Sequence, residues 1–257
     1  VQVGWKDKLA YRTELLVWMV SMTLPIVMLA LFRAVAAEGA VGPFDAQSFT
    51  AYFLAVLVVR QISGSWVAWE IEGDVRSGTL SVRLLRPIHP LWSYLCSSTA
   101  EIPLRAMISL PLSIFMLYAI EGTARVHVVR DPASIAMALV SLALCFLVSF
   151  AVSALIGTLS LFFESVTGVW MLFSTIFAAV SGYVIPIALF PSWLRTVLAY
   201  TPFPYMLSTP VEIITGMRQA GDALHAIGAQ AICAVLLVGL LLLEWHSALK
   251  RHAAFGG

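Results

Sequence analysis

Residues 131–163 read DPASIAMALVSLALCFLVSFAVSALIGTLSLFF. Asp131 suits a helix N-cap, where a carboxylate accepts from the first unpaired backbone N–H groups. Pro132 suits the first helical position, where no donor is needed. No Asp, Glu, Lys or Arg follows until Glu164. A helix crosses the hydrocarbon of a bilayer with about 20 apolar residues. This run is longer than that, so it predicts a spanning helix that tilts or projects beyond the bilayer. The alternating ten-residue segments of a membrane β-barrel are absent.

The rest of the chain agrees. Of 257 residues, 60% are apolar and 11% are charged, and the mean hydropathy is +0.92. A soluble domain carries about a quarter charged residues and could not hide so much apolar surface. Disorder is excluded for the same reason. Lys plus Arg is 15 and Asp plus Glu is 14, a net charge of +1 that speaks against nucleic-acid binding. Cys96, Cys145 and Cys233 lie far apart, with neither a disulfide framework nor zinc-ligand spacing.

Six spans are predicted: Leu15–Phe32 with Pro25 as a kink, Phe49–Trp69 interrupted by Arg60, Ile102–Ile120, Asp131–Phe163, Val166–Val184 and Ala226–Leu243. Ala34-Val35-Ala36 resembles a signal-peptidase site, but the 18-residue apolar run and the intervening Arg33 favour a retained helix. Val1, Trp5 and Leu9 recur every four residues among Lys6, Asp7, Lys8 and Arg12, which predicts a small interfacial helix over residues 1–13. With six spans the termini share a side, and that side holds nine basic residues against five opposite. The positive-inside rule then makes both termini cytoplasmic.

Two connections are unusual. The first, over 70–100, contains Glu70, Glu72, Asp74, Arg76, Gly78, Thr79, Leu80, Arg83, Leu84, Leu85, Arg86 and Pro87. Ser77 or Thr79 can cap a short helix that Pro87 stops. Leu80, Leu84 and Leu85 are expected on one face, with Arg83 and Arg86 off it. Such a helix could equally lie on anionic headgroups. The second, over 185–222, carries Pro186, Pro191, Pro202, Pro204 and Pro210 with Phe190, Trp193, Tyr200, Phe203 and Tyr205. It is too apolar for a solvated loop and too proline-rich for one span, so short interfacial or re-entrant helices are expected. Pro191–Ala199 would be the first, with Trp193, Leu194, Val197 and Leu198 on one face. Its aromatics suit either a headgroup belt or a lid over a substrate path.

The string Glu72-x-x-x-Arg76-x-Gly78-Thr79-Leu80, followed by Leu84-Leu85-Arg86-Pro87-x-x-Pro90 after a second span, resembles the cytoplasmic loop of type-two ABC exporter permeases, the ABC-2 superfamily. The Leu-Leu-Arg-Pro ending is closest to a bacterial branch with six spans. The resemblance covers nearly the whole chain and implies an all-α polytopic membrane protein, with 1–257 as a single permease domain. It implies that the 70–100 loop holds a coupling helix docking into a separate ATPase subunit. Leu80, Leu84 and Leu85 would be the apolar anchor, and Glu72, Arg76, Arg83 and Arg86 the polar rim. The turn with Glu164 would be a second contact. The chain has no G-x-x-x-x-G-K-[ST], so ATP and Mg would belong to the partner and no cofactor to this chain. The resemblance also implies a second permease, identical or related, and export of a hydrophobic or amphipathic cargo across the bacterial inner membrane. Small residues at four-residue spacing, Ser153/Gly157 and Ala178/Gly182, could pack helices within one chain or between chains.

Arg60, in mid-span, admits three readings: an ion pair with Glu101 or Glu164, snorkelling, or contact with an anionic headgroup on the cargo. With Phe190, Trp193, Tyr200, Phe203 and Tyr205 it forms the expected substrate path and outer gate. An intramembrane serine protease would need Gly-x-Ser-Gly, and Ala179-Val180-Ser181-Gly182 breaks that pattern. Ion-coupled transport would want mid-span carboxylates, and none falls inside the six runs. A structural component with an ATPase partner is the remaining alternative.

Overall fold

The computed structural model describes residues 23–121, 129, 131–163 and 165–255. Among them there is no β-strand, only an isolated bridge between Val41 and Phe44. The helices are α1 (Thr23–Ala36), α2 (Ala46–Ser63), α3 (Val67–Arg76), α4 (Thr79–Leu84), α5 (Pro90–Ala100), α6 (Ile102–Glu121), α7 (Pro132–Thr158), α8 (Thr167–Val180), α9 (Ser192–Leu198), α10 (Ser208–Ile214) and α11 (Ala220–Phe255). Single 3₁₀ turns follow α7, precede α9 and precede α10.

Four helical units are long and apolar enough to cross a membrane: Ala46–Arg76, Pro90–Ile120, Pro132–Leu161 and Ala220–Lys250. At 1.5 Å per residue each is about 45 Å long. The expected first and fifth spans are shorter apolar helices, α1 and α8. Residues 1–22, with the expected interfacial helix and the start of the first span, lie outside the described residues, as does Glu164.

α7 begins as its sequence predicts. The Asp131 carboxylate accepts the Ser134 N–H at 2.8 Å, which holds the Asp131 pKa below its usual value. α8 stops at Val180 rather than Val184 because Gly182 turns the chain at φ +91° and its carbonyl accepts from Tyr52 Oη at 2.8 Å. A Cβ at Gly182 would meet that same Tyr52 oxygen at 2.5 Å, so only glycine fits. Gly182 is therefore a turn residue and makes no small-residue helix face with Ala178.

The second span is two helices, not one. α2 ends at Ser63 and α3 starts at Val67. Buried groups from distant elements bind the backbone freed by the break. Arg105, only 2% exposed, donates to the Gly64 carbonyl and pairs with Glu101. The Ser153 hydroxyl donates to the Ser65 carbonyl (3.2 Å) and accepts the Ala68 N–H (3.1 Å). Four residues on, a Cβ at Gly157 would come within 2.9 Å of Ala68 Cα. The Ser153/Gly157 pair thus serves contact between α7 and α3 of the same chain.

α7 is the central post. Its deepest packing is with α11, which runs parallel to it. Gln230 of α11 exchanges hydrogen bonds with Ser141 and also donates to the Tyr205 carbonyl. A side-chain amide in so apolar a place fixes the register, since slipping one turn would strand it. On the α1–α2 side, Phe32, Phe44, Phe49 and Phe53 stack at 4.8–6.3 Å.

Candidate functional site

The irregular part of the 70–100 connection is shorter than expected, because α3 runs to Arg76 and α5 starts at Pro90. α4 spans Thr79–Leu84 and so ends before Pro87, the stop expected from the sequence. Neither Ser77 nor Thr79 caps it. Their hydroxyls bond each other at 2.8 Å, and Gly78 makes the turn at φ +73°, a conformation that disfavours a side chain.

The three leucines do not share a face. Leu80 is 1% exposed and sits among Ile71, Leu91, Tyr94, Phe150 and Trp245. Leu84 and Leu85 are both exposed, Leu85 at 87%. Leu80 thus ties α4 to the bundle, and the outward apolar surface includes Val82, Leu84, Leu85, Ile88 and Trp92.

The polar residues divide in the same way. Arg83 is committed internally: Nη2 reaches Glu70 at 3.2 Å, Nε reaches Asp74 at 2.7 Å, and the guanidinium lies 4.8 Å from the Tyr94 ring centre. Tyr94 Oη donates to Asp74 at 2.7 Å. This joins α3, α4 and α5 by charge-assisted bonds, each stronger than a neutral one. Glu72 is buried and pairs with Arg76 at 2.9 Å. Arg86 and Pro87 are exposed. Glu70, Asp74 and Tyr94 were not singled out from the sequence. The signal was present in the i, i+4 spacing of Glu70 and Asp74 facing a later arginine.

Arg60 takes none of the expected partners among the described residues, since Glu101 pairs with Arg105. Its guanidinium lies over Phe177 (5.0 Å) and Tyr183 (5.9 Å). Cation–π attraction stabilises a guanidinium placed over an aromatic face away from water. Phe177 adjoins Phe173 at 6.1 Å, and Phe173 stacks on Phe203 at 6.1 Å. The structure therefore links Arg60 with Phe203 through two rings of α8.

The remaining aromatics of the outer set are not gathered. Trp193 and Tyr200 point outward, Phe190 is half-buried, and Tyr205 Oη donates to the Ala199 carbonyl at 2.7 Å. α9 matches the expected first helix, but its face differs: Leu198 is buried whereas Trp193 and Val197 are exposed.

α10 was not foreseen as a buried element. Ser208, Thr209, Pro210, Val211 and Ile213 are all buried, mainly against α7 and α2. Gly216, at φ +70°, reverses the chain, so the Met217 and Arg218 N–H groups bond the Glu212 carbonyl. That return brings Arg218 Nε to 2.6 Å from Glu212 Oε2. Burial pushes the Glu212 pKa up, and Arg218 opposes the rise.

The family model described as "ABC-2 family transporter protein" matches residues 15–256. The chain belongs to the ABC-2 transporter family. No curated protein matches it. It is thus an ABC-2 permease, a multi-pass membrane subunit of an ABC transporter. Permeases of this family are transport components that work with an ABC ATPase. In this ABC-2 permease the short helix α4 is held to α3 and α5 by the Arg83 contacts with Glu70, Asp74 and Tyr94 and by the buried Leu80.

Proposed function

We propose that the chain is the permease subunit of an exporter in a bacterial inner membrane, with α4 and both termini on the cytoplasmic side. Arg76, Arg83 and Arg86 lie in or beside the α4 connection, which the positive-inside rule then assigns to the cytoplasm. α4 is the coupling helix. Closure of the ATPase on ATP and Mg pushes the surface of Val82, Leu84, Leu85, Ile88 and Trp92, and Glu164 provides a second contact. The Arg83 clamp and Leu80 pass the push to α3 and α5 as rigid-body motion. Two permeases, identical or related, pair with two ATPase subunits. The cargo is hydrophobic or amphipathic and passes Arg60 and the Phe203 side of the outer segment.

The observation that carries this reading is the contrast between Leu80, buried at the start of α4, and Leu85, exposed just after its end. A helix fixed on one side and apolar on the other suits force transfer. Leu85→Asp tests it. The variant should insert and fold as the parent does, yet fail to co-purify with the ATPase. Retained binding with cargo-stimulated ATP hydrolysis would overturn the coupling role.

A further inference from the structure

At the end of the bundle away from α4, a cavity of about 550 Å³ opens between the start of α2, the α9–α10 segment and the start of α11. Phe44, Ile187 and Met217 contribute apolar wall, and Arg195, Arg218 and Glu212 contribute charge. The charges do not cancel. Glu212 takes the Nε edge of Arg218. Arg195, exposed on α9, has no ion-pair partner among the described residues. Two guanidinium groups and one carboxylate leave an excess of one positive charge beside an apolar wall. A guanidinium fork matches phosphate oxygens in geometry as well as charge. An apolar wall next to it accepts hydrocarbon.

We propose that this cavity binds a phosphate-headed anionic amphiphile, with the phosphate at Arg195 and Arg218 and part of the hydrocarbon along Phe44, Ile187 and Met217. The ligand is either a membrane lipid or a free amphiphile. Only if that ligand is the cargo does the inference rest on the export reading.

The test uses the full chain in dodecyl maltoside, titrated calorimetrically with lauroyl lysophosphatidylglycerol and with lauroyl lysophosphatidylcholine, which differ in net headgroup charge. The anionic probe should bind about tenfold more tightly, as charge-assisted bonds allow. Arg195→Gln should remove most of that preference. This substitution leaves the fold intact, because Arg195 is exposed and makes no ion pair among the described residues; unchanged gel-filtration behaviour verifies this. Glu212→Gln should strengthen binding of the anionic probe by removing a carboxylate from the cavity wall. Equal binding of the two probes, or an undiminished preference in Arg195→Gln, would overturn the site.

A parallel measurement in nanodiscs containing phosphatidylglycerol and phosphatidylcholine separates the sources. Enrichment of phosphatidylglycerol at the protein supports a lipid headgroup; binding of the lyso probe without such enrichment supports a free amphiphile. No arm needs the ATPase, so failure of the export reading would leave these results standing.

Discussion

The two irregular ends of this permease reach rigidity by different means. At the α4 end the chain is short, charged and exposed. There Arg83 draws Glu70, Asp74 and Tyr94 together while Leu80 plugs into the bundle. At the opposite end, over 181–219, the chain is longer and apolar. There α10 is buried bodily, Gly182 and Gly216 make the turns, and one ion pair, Glu212–Arg218, closes the return. A clamp built on charge leaves its outer surface free for a partner. A segment built on burial encloses volume instead, here a cavity of about 550 Å³. The first design suits transmitted force, and the second suits a ligand.

Three perturbations probe that contrast. The largest effect is expected from Leu80→Asp. An unpaired carboxylate among Ile71, Tyr94 and Trp245 should cost about 3–5 kcal/mol. The yield of monodisperse protein should fall sharply, whereas Leu85→Asp leaves it unchanged. Equal yields from the two variants would erase the distinction between the buried side of α4 and the exposed turn that follows it.

Arg83→Ala should cost less, about 1–2 kcal/mol, because the side chain is only partly buried. Hydrogen exchange over 79–84 should quicken while exchange in α7 stays the same. Unchanged exchange over 79–84 would mean that Leu80 alone holds α4.

The smallest effect is expected at the other end, with pH. The charged groups facing Glu212 are Arg218 and, across the cavity, Arg195; Tyr52 and Tyr205 are neutral neighbours. Burial has raised the Glu212 pKa, so lowering the pH from neutral toward that value protonates the carboxyl. The cavity then goes from one excess positive charge to two. A phosphodiester stays ionised throughout, so lysophosphatidylglycerol should bind up to about fivefold more tightly. Glu212→Gln should flatten this dependence. A rise that persists in the variant would place its origin elsewhere.

Much of the fold was legible in single segments. The run 131–163 shows its own start, its helical character and its membrane environment, because each follows from neighbouring residues. The 70–100 loop was legible as a motif but not as a surface. Grouping Leu80, Leu84 and Leu85 on one face assumed a helix through Arg86, yet α4 ends at Leu84, so helical periodicity no longer places Leu85. The break at Gly64–Trp66 was not legible either. It is held by Arg105 and Ser153, and no local pattern shows that residues 41 and 88 positions away will bind those carbonyls. Arg60 was legible as costly but not as solved, since its aromatic partners come from α8 and from Tyr183 just beyond it.

By itself the sequence determined the solvent in which this chain folds, the all-α class and the place of the one specific motif. Hydropathy, prolines and helix caps act over a few residues, and the cost of unpaired backbone in hydrocarbon leaves helices as the remaining choice. Tertiary structure alone decided which leucine turns inward, which carboxylate each arginine takes and where a cavity stays open. Those outcomes depend on contacts between segments far apart in the chain, and such contacts exist only once the helices have packed.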